Sequence, residues 1–433
     1  MGPRTVAPPA RRPGDHPARR LVVATLAVAL LAGLVGCDLS RVGRRCRGGV
    51  ARDATHLLVC RGGRWARSIT LAQVGRILAD AAANPAPVLD VTTVAGGLVR
   101  PWDLAFLPDG SFLVTERPGR LVAFSGGGRR VVAAPADVEA VGEGGLMGLA
   151  VDPAFDSNRR IYVCLRSRAG GGSDVRVVRF ELDAAITNAG ARADIVTGIP
   201  AGENHVGCRL EFGPDAMLWI TTGDALRGPA PQDPAGLAGK VLRVTTDGAP
   251  APGNPGGPLD PRIFSLGHRN PQGLAFRSAP GGTEDGRPYS VEHGPDRDDE
   301  INRVVAGGNY GWNPVPAGGG TAYTQTVPMT DGVRVPGAIG AVWSSGRPTI
   351  APAGATFLTG GRWGSWEGAL AVAVLKGTRL LVLRLSADGT RVEREWTAVT
   401  DRGRLRAATM GPDGALYLTT DADAGAVLRV APR

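Results

Sequence analysis

The residues best suited to chemistry are concentrated between Gly267 and Asn313. This stretch contains GHRNPQGLAF and, further along, EHGPDRDDEINRVVAGGNYGWN. Arg269 and Asn270 can hold a carboxylate through a guanidinium fork and an amide, although an asparagine before a proline also stabilises an ordinary turn. The first half of the stretch therefore predicts a site for an anionic ligand.

The second half of the stretch carries groups that suit a hard cation. The Gly294-Pro295 corner exposes backbone carbonyls, and a segment rich in carboxylates, Asp296–Glu300, follows it. Calcium prefers such oxygen ligands, although the spacing is not that of an EF-hand. A run of carboxylates is often a solvated surface. Here it continues into the apolar Ile301 and a glycine-rich turn, which favours a calcium site.

Three histidines lie in polar, glycine-containing turns: His205, His268 and His293. His205 directly precedes a predicted strand, and a histidine in the loops around a central channel can act as a general base near neutral pH. Arg209 follows as either a pocket cation or a charge at a strand edge.

Further cations lie near the C-terminus. Lys376 follows an apolar, strand-like run, and Arg404 and Arg406 alternate around a leucine, so both arginines lie on one side of a strand. Three cations from two distant segments suit a small polyanionic ligand.

These residues must be positioned by short strands. Three segments repeat the order strand, Pro-Asp-Gly-type turn, strand: Leu104–Glu116, Leu210–Thr222 and Ala408–Thr420. Proline presets φ, aspartate bonds its own backbone, and glycine accepts a positive φ. Repeated hairpins predict an all-β propeller, with a large β-sandwich as the alternative. We expect the final strand, Ala426–Val430, to close the ring with the first blade.

The N-terminus predicts an exported lipoprotein. An arginine-rich region precedes an apolar run, Leu21–Val35, that is too short for a comfortable membrane span. Leu34-Val35-Gly36-Cys37 resembles a lipobox. We expect a signal peptide over 1–36, lipidation of Cys37 outside the cytoplasm, a spacer over 37–88 with a helix at Thr70–Ala83, and the propeller over 89–433. An uncleaved anchor is the alternative.

The charge distribution and the cysteines bear on nucleic-acid binding and on disulfide formation. The net charge of +9 is spread along the chain without a basic block, so we predict no nucleic-acid binding. Cys46 and Cys60 flank a small basic segment and are suited to a disulfide in an exported protein. Cys164 and Cys208 lie in strand-like runs, where free thiols and a bond fit the sequence equally well.

From about Val91 to Pro432 the chain resembles the soluble quinoprotein glucose dehydrogenases and aldose sugar dehydrogenases. The segments GEGGLMGLAVDPAF, GKVLRVTTDG, GHRNPQGLAF, EHGP with DDEIN, GGNYGWN and GRLRAATMGPDG follow the family order. The resemblance implies a six-bladed β-propeller that binds pyrroloquinoline quinone (PQQ) and calcium. It also implies oxidation of the anomeric hydroxyl of aldose sugars to lactones, with an electron acceptor and an oligomeric state that the sequence leaves unknown.

The resemblance implies roles for individual residues. His205 is the catalytic base, Asn204 stands where some members carry an assisting aspartate, and Arg269 belongs to both the catalytic and the cofactor-binding sets. The cofactor-binding positions are Glu143, Arg269, Asn270, Lys376, Arg404 and Arg406. The carbonyls of Gly294 and Pro295 match the calcium that also ligates the quinone. Glu300 and the Tyr310 carbonyl match a second, structural calcium.

Three positions depart from the family. Glu143 stands where glucose-oxidising members have a glutamine, and Ser344 and Arg347 stand where some members place aromatic side chains. A more polar wall argues against narrow glucose specificity, so we expect broad aldose specificity. A non-catalytic binding propeller is an alternative that the retained His205 and cations disfavour. A calcium-dependent lactonase is disfavoured because the acids cluster in one loop.

Overall fold

The computed structural model describes residues 42, 44–45, 47, 50–52, 55–75, 84–278 and 284–433. The chain divides into two compact units, 1–86 and 87–433. Among the described residues, no helix is both long and apolar enough to cross a bilayer. The predicted signal peptide and Cys37 lie outside the described residues.

The first unit contains a three-stranded antiparallel sheet, Val50–Arg52, His56–Arg61 and Arg64–Thr70. A helix begins after Thr70, where Thr70 and Gln73 exchange two backbone-to-side-chain hydrogen bonds of 2.7 and 3.0 Å, a capping box. The structure describes this helix over 71–75, and the remainder of the predicted helix lies outside the described residues. Cys60 is disulfide-bonded, and its predicted partner, Cys46, is also outside them.

The second unit is built from six four-stranded antiparallel sheets, which we number as blades 1 to 6. Each is given from its innermost strand outward. Blade 1 consists of Pro101–Phe106, Phe112–Glu116, Arg120–Ser125 and Gly128–Ala133. Blade 2 consists of Leu146–Val151, Arg160–Ser167, Asp174–Leu182 and Ala189–Pro200. Blade 3 consists of Gly207–Phe212, Leu218–Thr222, Lys240–Val244 and Ile263–Leu266.

The other three blades follow the same plan. Blade 4 consists of Pro271–Ser278, Glu284–Glu292, Glu300–Arg303 and Trp343–Ser344. Blade 5 consists of Pro352–Phe357, Leu370–Val374, Arg379–Leu385 and Val392–Ala398. Blade 6 consists of Leu405–Met410, Leu416–Thr420, Gly425–Pro432 and Leu89–Leu98. The described helical segments of this unit are short: Phe155–Asn158, Ala230–Gln232 and Gly364–Trp366.

The six innermost strands contact one another in a closed ring, so the predicted six-bladed β-propeller is confirmed. Closure differs from the expected form in one respect. The first strand of the unit, Leu89–Leu98, pairs antiparallel with Gly425–Pro432 and becomes the outermost strand of blade 6. The last strand therefore meets the first strand of the unit within one blade, instead of pairing with blade 1. Hydrogen bonds between the two ends of the unit hold the ring shut.

The predicted Pro-Asp-Gly hairpins join the innermost and second strands of blades 1, 3 and 6. In blade 1, Leu107 N–H donates to Ser111 O at 2.8 Å, Asp109 accepts from Ser111 N, and Gly110 has a φ of 84°. These turns lie where the innermost strands end. The opposite face, where the innermost strands begin, is left for a site, and we call it the site face.

The core lies mainly between neighbouring blades. Between blades 2 and 3, Met147, Tyr162 and Leu210 are fully buried in one apolar cluster. A disulfide between Cys164 and Cys208 crosses this boundary, with the two Cα atoms 5.7 Å apart. The structure thus resolves the choice that the sequence left open for these cysteines.

Removal of this disulfide should destabilise the propeller. For residues separated by 44 positions, the loss of chain constraint in the unfolded state corresponds to about 4 kcal/mol. We expect the Cys164→Ala/Cys208→Ala protein to unfold at a clearly lower guanidinium concentration, followed by tryptophan fluorescence. Cys60→Ala, which removes a bond from the first unit, should leave that transition unchanged. An unaltered midpoint in the double variant would contradict the stabilising role.

Candidate active site

The predicted site residues lie on the site face, at or just before the innermost strands of different blades. Glu143 precedes blade 2, His205 precedes blade 3, Arg269 and Asn270 precede blade 4, and Arg406 is in the first strand of blade 6. Because these strands all begin at one end of the central channel, residues far apart in sequence meet there. Hydrogen bonds join most of them directly.

One oxygen of Glu143 accepts three hydrogen bonds. The donors to Oε2 are the backbone N–H of His205 at 2.9 Å, Asn270 Nδ2 at 3.0 Å and Gln272 Nε2 at 3.2 Å. Burial alone would raise the pKa of Glu143, but the charges of His293 and His205 and the bond from Asn270 outweigh it and hold that pKa below its usual value. Glu143 is therefore an ionised carboxylate beneath the site.

His205 is held in a strained backbone conformation and paired with an acid. Its φ is 58°, in the left-handed region, which is uncommon for residues with a side chain and is often found at functional sites. Gly223 packs against it so closely that a Cβ there would lie 1.9 Å from the His205 carbonyl oxygen. His205 Nδ1 is 2.8 Å from Asp224 Oδ1, and both side chains are buried.

Asp224 is the site residue that the sequence analysis missed. It follows the second strand of blade 3, and Oδ1 also accepts from Leu226 N at 2.9 Å, so in sequence it resembles a turn aspartate. Its other oxygen accepts from Trp312 Nε1 and from Tyr323 OH, each at 2.7 Å. An acceptor at Nδ1 places the imidazole proton there and leaves Nε2 free to accept a proton. Asn204, expected to occupy the assisting position, is exposed.

Two buried arginines face the site with unused donors. Arg269 donates to His293 O at 2.9 Å and to Gln325 Oε1 at 2.6 Å. Arg406 donates to Gln272 Oε1 at 2.8 Å and to Asp421 Oδ2 at 3.2 Å. Within the described part of the chain, the Nε atoms of Arg269 and Arg406 have no hydrogen-bond partner. A buried donor without an acceptor is costly, so these two groups are suited to an anionic ligand.

Of the remaining predicted cations, Arg404 and Lys376 are exposed and Arg209 is buried. Arg404 lies beside Arg406 and shares Asp421 Oδ2 with it at 3.2 Å, on the same side of the strand as predicted. Lys376 belongs to blade 5, where its Nζ donates to Thr349 Oγ1 at 3.0 Å. Arg209 is buried as an ion pair with Asp103, and its guanidinium lies 4.4 Å from the Trp102 ring.

The Gly294-Pro295 corner is fixed by Asp299. Asp299 Oδ1 accepts from Gly294 N at 2.8 Å, while Oδ2 accepts from the backbone N–H groups of Ile350 and Ala351. His293, next to the corner, is partly buried, and this burial lowers its pKa. Its Nε2 atom has no partner among the described residues.

Two buried carboxylates stand opposite each other in blade 4. Glu292 pairs directly with Glu300 across neighbouring strands, an arrangement that is unfavourable for like charges. Asn302 Nδ2 donates to both, at 2.7 and 3.2 Å. Burial, and then the charge of Glu292, raise the pKa of Glu300 to about 8. Asn302 Oδ1 is buried and has no partner within the described chain.

The other predicted metal and histidine positions surround this pair. Tyr310 stacks on His268 with ring centroids 4.6 Å apart. His268 is fully buried between Ser265 Oγ at 2.9 Å and Glu292 Oε1 at 3.0 Å, which makes it structural. Among the described residues, no group of three or more His, Cys, Asp or Glu side chains is arranged to hold a metal. Any cation here would depend on carbonyl, amide and hydroxyl oxygens as well.

Comparison with known proteins identifies the family. The sequence profile of the Glucose / Sorbosone dehydrogenase family matches residues 98–429. The aldose sugar dehydrogenase YliI of Escherichia coli is 32% identical over 368 residues, which cover 81% of this chain and 95% of that protein. Quinoprotein glucose dehydrogenase B of Acinetobacter calcoaceticus is 29% identical, covering 77% of this chain and 85% of that protein.

A solved structure agrees with these relatives. The PQQ-bound aldose sugar dehydrogenase of Streptomyces coelicolor is 32% identical and superposes with a TM-score of 0.64, covering 80% of this chain and 99% of that one. The likeness therefore extends over nearly the whole propeller. The chain belongs to the glucose and sorbosone dehydrogenase family of oxidoreductases.

Proposed function

We propose that this protein oxidises the anomeric hydroxyl of aldose sugars to lactones, with PQQ as hydride acceptor and calcium as metal. The observation that carries the proposal is the pairing of a buried His205–Asp224 couple with two buried arginines whose Nε donors are unused. A base and an anion-binding set at one end of a channel suit this chemistry. The names of the Escherichia and Streptomyces relatives support it.

The donor set fits a quinone that carries three carboxylates. Arg269 and Arg406 offer buried N–H groups, Asn270 offers an amide held by Glu143, and Arg404 and Lys376 add exposed cations. Guanidinium and carboxylate form strong, charge-assisted pairs. The bound quinone would supply the two-electron acceptor.

His205 is the residue that would move the proton. Its Nε2 would take the proton of the sugar's anomeric hydroxyl as the hydride leaves the same carbon, which yields a lactone. Asp224 would keep the Nδ1 proton in place and stabilise the imidazolium that forms, which is the role of an acid behind a catalytic histidine. Glu143 would fix the base through the His205 backbone N–H and contribute negative charge.

Calcium fits the corner and the acid pair differently. The carbonyls of Gly294 and Pro295 would face the quinone and help to hold it through the ion. At the second position, Glu300 and the Tyr310 carbonyl would be ligands, and the unpartnered Asn302 Oδ1 and the opposed Glu292 fit a cation there. Burial, and then the charge of Glu292, raise the pKa of Glu300 to about 8, and a divalent ion would relieve that repulsion.

Broad sugar specificity and an envelope location complete the proposal. Ser344 donates to Asp298 at 3.1 Å, and Arg347 pairs with Asp296 at 2.6 Å where both side chains are more than half exposed. This polar, open wall would place few constraints on the far end of a sugar. We also propose export and lipid anchoring through Cys37; the Cys164–Cys208 disulfide is consistent with an oxidising compartment.

Reconstitution tests the proposed reaction. Purified protein given PQQ and Ca²⁺ should bind the quinone, seen as an absorbance change, and should then oxidise aldoses with an artificial dye. His205→Ala should still bind quinone but lose about 10²- to 10⁴-fold in turnover. His56→Ala, in the first unit, should retain full turnover. The assignment would be refuted if no quinone bound and no aldose or alcohol were oxidised. Full activity of His205→Ala would exclude it as the base.

Calcium removal tests the second metal position. Ca²⁺ at 100 times its Kd should stabilise the folded protein by about 2.7 kcal/mol, measured as a rise in Tm relative to chelator. Glu300→Gln should lose most of that rise, because it removes a ligand charge. Glu393→Gln, which changes an exposed glutamate paired with Arg391, should keep it. If Glu300→Gln responded to Ca²⁺ like the wild type, Glu300 would not be a ligand.

A further inference from the structure

The segment 314–330, which we call the strap, links the two outer strands of blade 4 and reaches back to blade 3. It contains no strand or helix. Two side chains anchor it in the site: Gln325 accepts from Arg269 Nη2 at 2.6 Å, and Tyr323 donates to Asp224. Its backbone also packs on blade 3, because a Cβ on Gly228 would lie 2.4 Å from Ala322 O.

The Tyr323 hydroxyl touches both members of the His205–Asp224 couple. It lies 2.7 Å from Asp224 Oδ2 and 3.3 Å from His205 Nδ1, and the two rings are 6.2 Å apart. Trp312 donates to the same carboxylate oxygen at 2.7 Å. Burial, and then the charge of Asp224, raise the pKa of Tyr323. The phenol therefore remains a neutral proton donor.

This arrangement affects how strongly Asp224 attracts a proton on His205. Each donor to Oδ2 withdraws negative charge from the carboxylate that faces Nδ1. A hydrogen bond to a charged group is roughly twice as strong as one between neutral groups, so the loss of one donor to Asp224 changes the stability of the His205 imidazolium measurably. The other charged groups near His205 are Glu143, which accepts from its backbone, and Arg269, whose carbonyl accepts from Asp224 N at 2.8 Å.

We propose that Tyr323 is a positioning residue that sets the basicity and ring orientation of His205 through Asp224. It does so from the strap, whose other anchor lies on Arg269, so the same loop contacts the base couple and the anion-binding set. The inference rests on the proposed role of His205 as the base. The strap would thereby act in catalysis through Tyr323.

The test compares Tyr323→Phe with the wild type in two measurements. In the full chain without quinone, ¹⁵N NMR of labelled histidine follows the titration of His205, assigned by the signal lost in His205→Ala. Removal of the hydroxyl leaves Asp224 more negative, so the titration midpoint of His205 should rise by about half a pH unit or more. In the loaded enzyme, the acid limb of kcat/KM should move by the same amount, with kcat falling more than KM changes.

Tyr417→Phe is the matched control. Tyr417 also donates to an aspartate, Asp413, at 3.2 Å, but at the hairpin turn of blade 6, on the face opposite the site, so neither measurement should move. A His205 midpoint and an acid limb that stay unchanged in a folded Tyr323→Phe protein would overturn the coupling. A wild-type protein that oxidises no sugar would instead overturn the proposed function, and with it the catalytic meaning of a shift seen by NMR.

Discussion

The site depends on one carboxylate oxygen. Oε2 of Glu143 accepts from the backbone of His205 and from the side chains of Asn270 and Gln272, so loops of blades 2, 3 and 4 meet at a single atom. Gln272 extends the network to blade 6, because its Oε1 accepts from Arg406. Three donors can reach one carboxylate oxygen only if their positions are fixed. The closed ring fixes the positions of the blades that carry these donors.

The residues around the Glu143 carboxylate contact different parts of the site. Glu143 accepts from the backbone N–H of His205 and fixes its main chain, while Asp224 bonds Nδ1 and orients the ring. Each Nη atom of Arg269 and Arg406 donates one hydrogen bond to the protein, while the two Nε donors have no partner among the described residues. Preorganised donors of this kind bind a ligand without reorganisation. The arrangement places a negative charge in a partly buried position, and the nearby histidines and hydrogen bonds offset its cost, as the lowered pKa of Glu143 indicates.

The sequence predicted the six-bladed propeller and those site residues that lie in compact motifs. The Pro-Asp-Gly-type turns repeat because blades 1, 3 and 6 begin with the same kind of hairpin, and His205, Arg269 and Asn270 lie in compact polar motifs next to strands. Asp224 and Tyr323 were not found, because each is a single residue in a loop whose approach to His205 depends on tertiary structure. Asn204 was predicted from the family resemblance, whereas in the structure Asp224 is the acid beside the His205 ring and Asn204 is exposed.

The most direct test of this account compares two substitutions that remove the same charge. Glu143→Gln keeps an acceptor oxygen for the three donors, whereas Glu143→Leu leaves them buried and unpaired, at about 1–3 kcal/mol each. At saturating quinone and Ca²⁺, we expect the glutamine variant to retain at least about a tenth of the wild-type kcat and the leucine variant to lose about 10²-fold or more. Equal kcat values for the two variants would contradict the account.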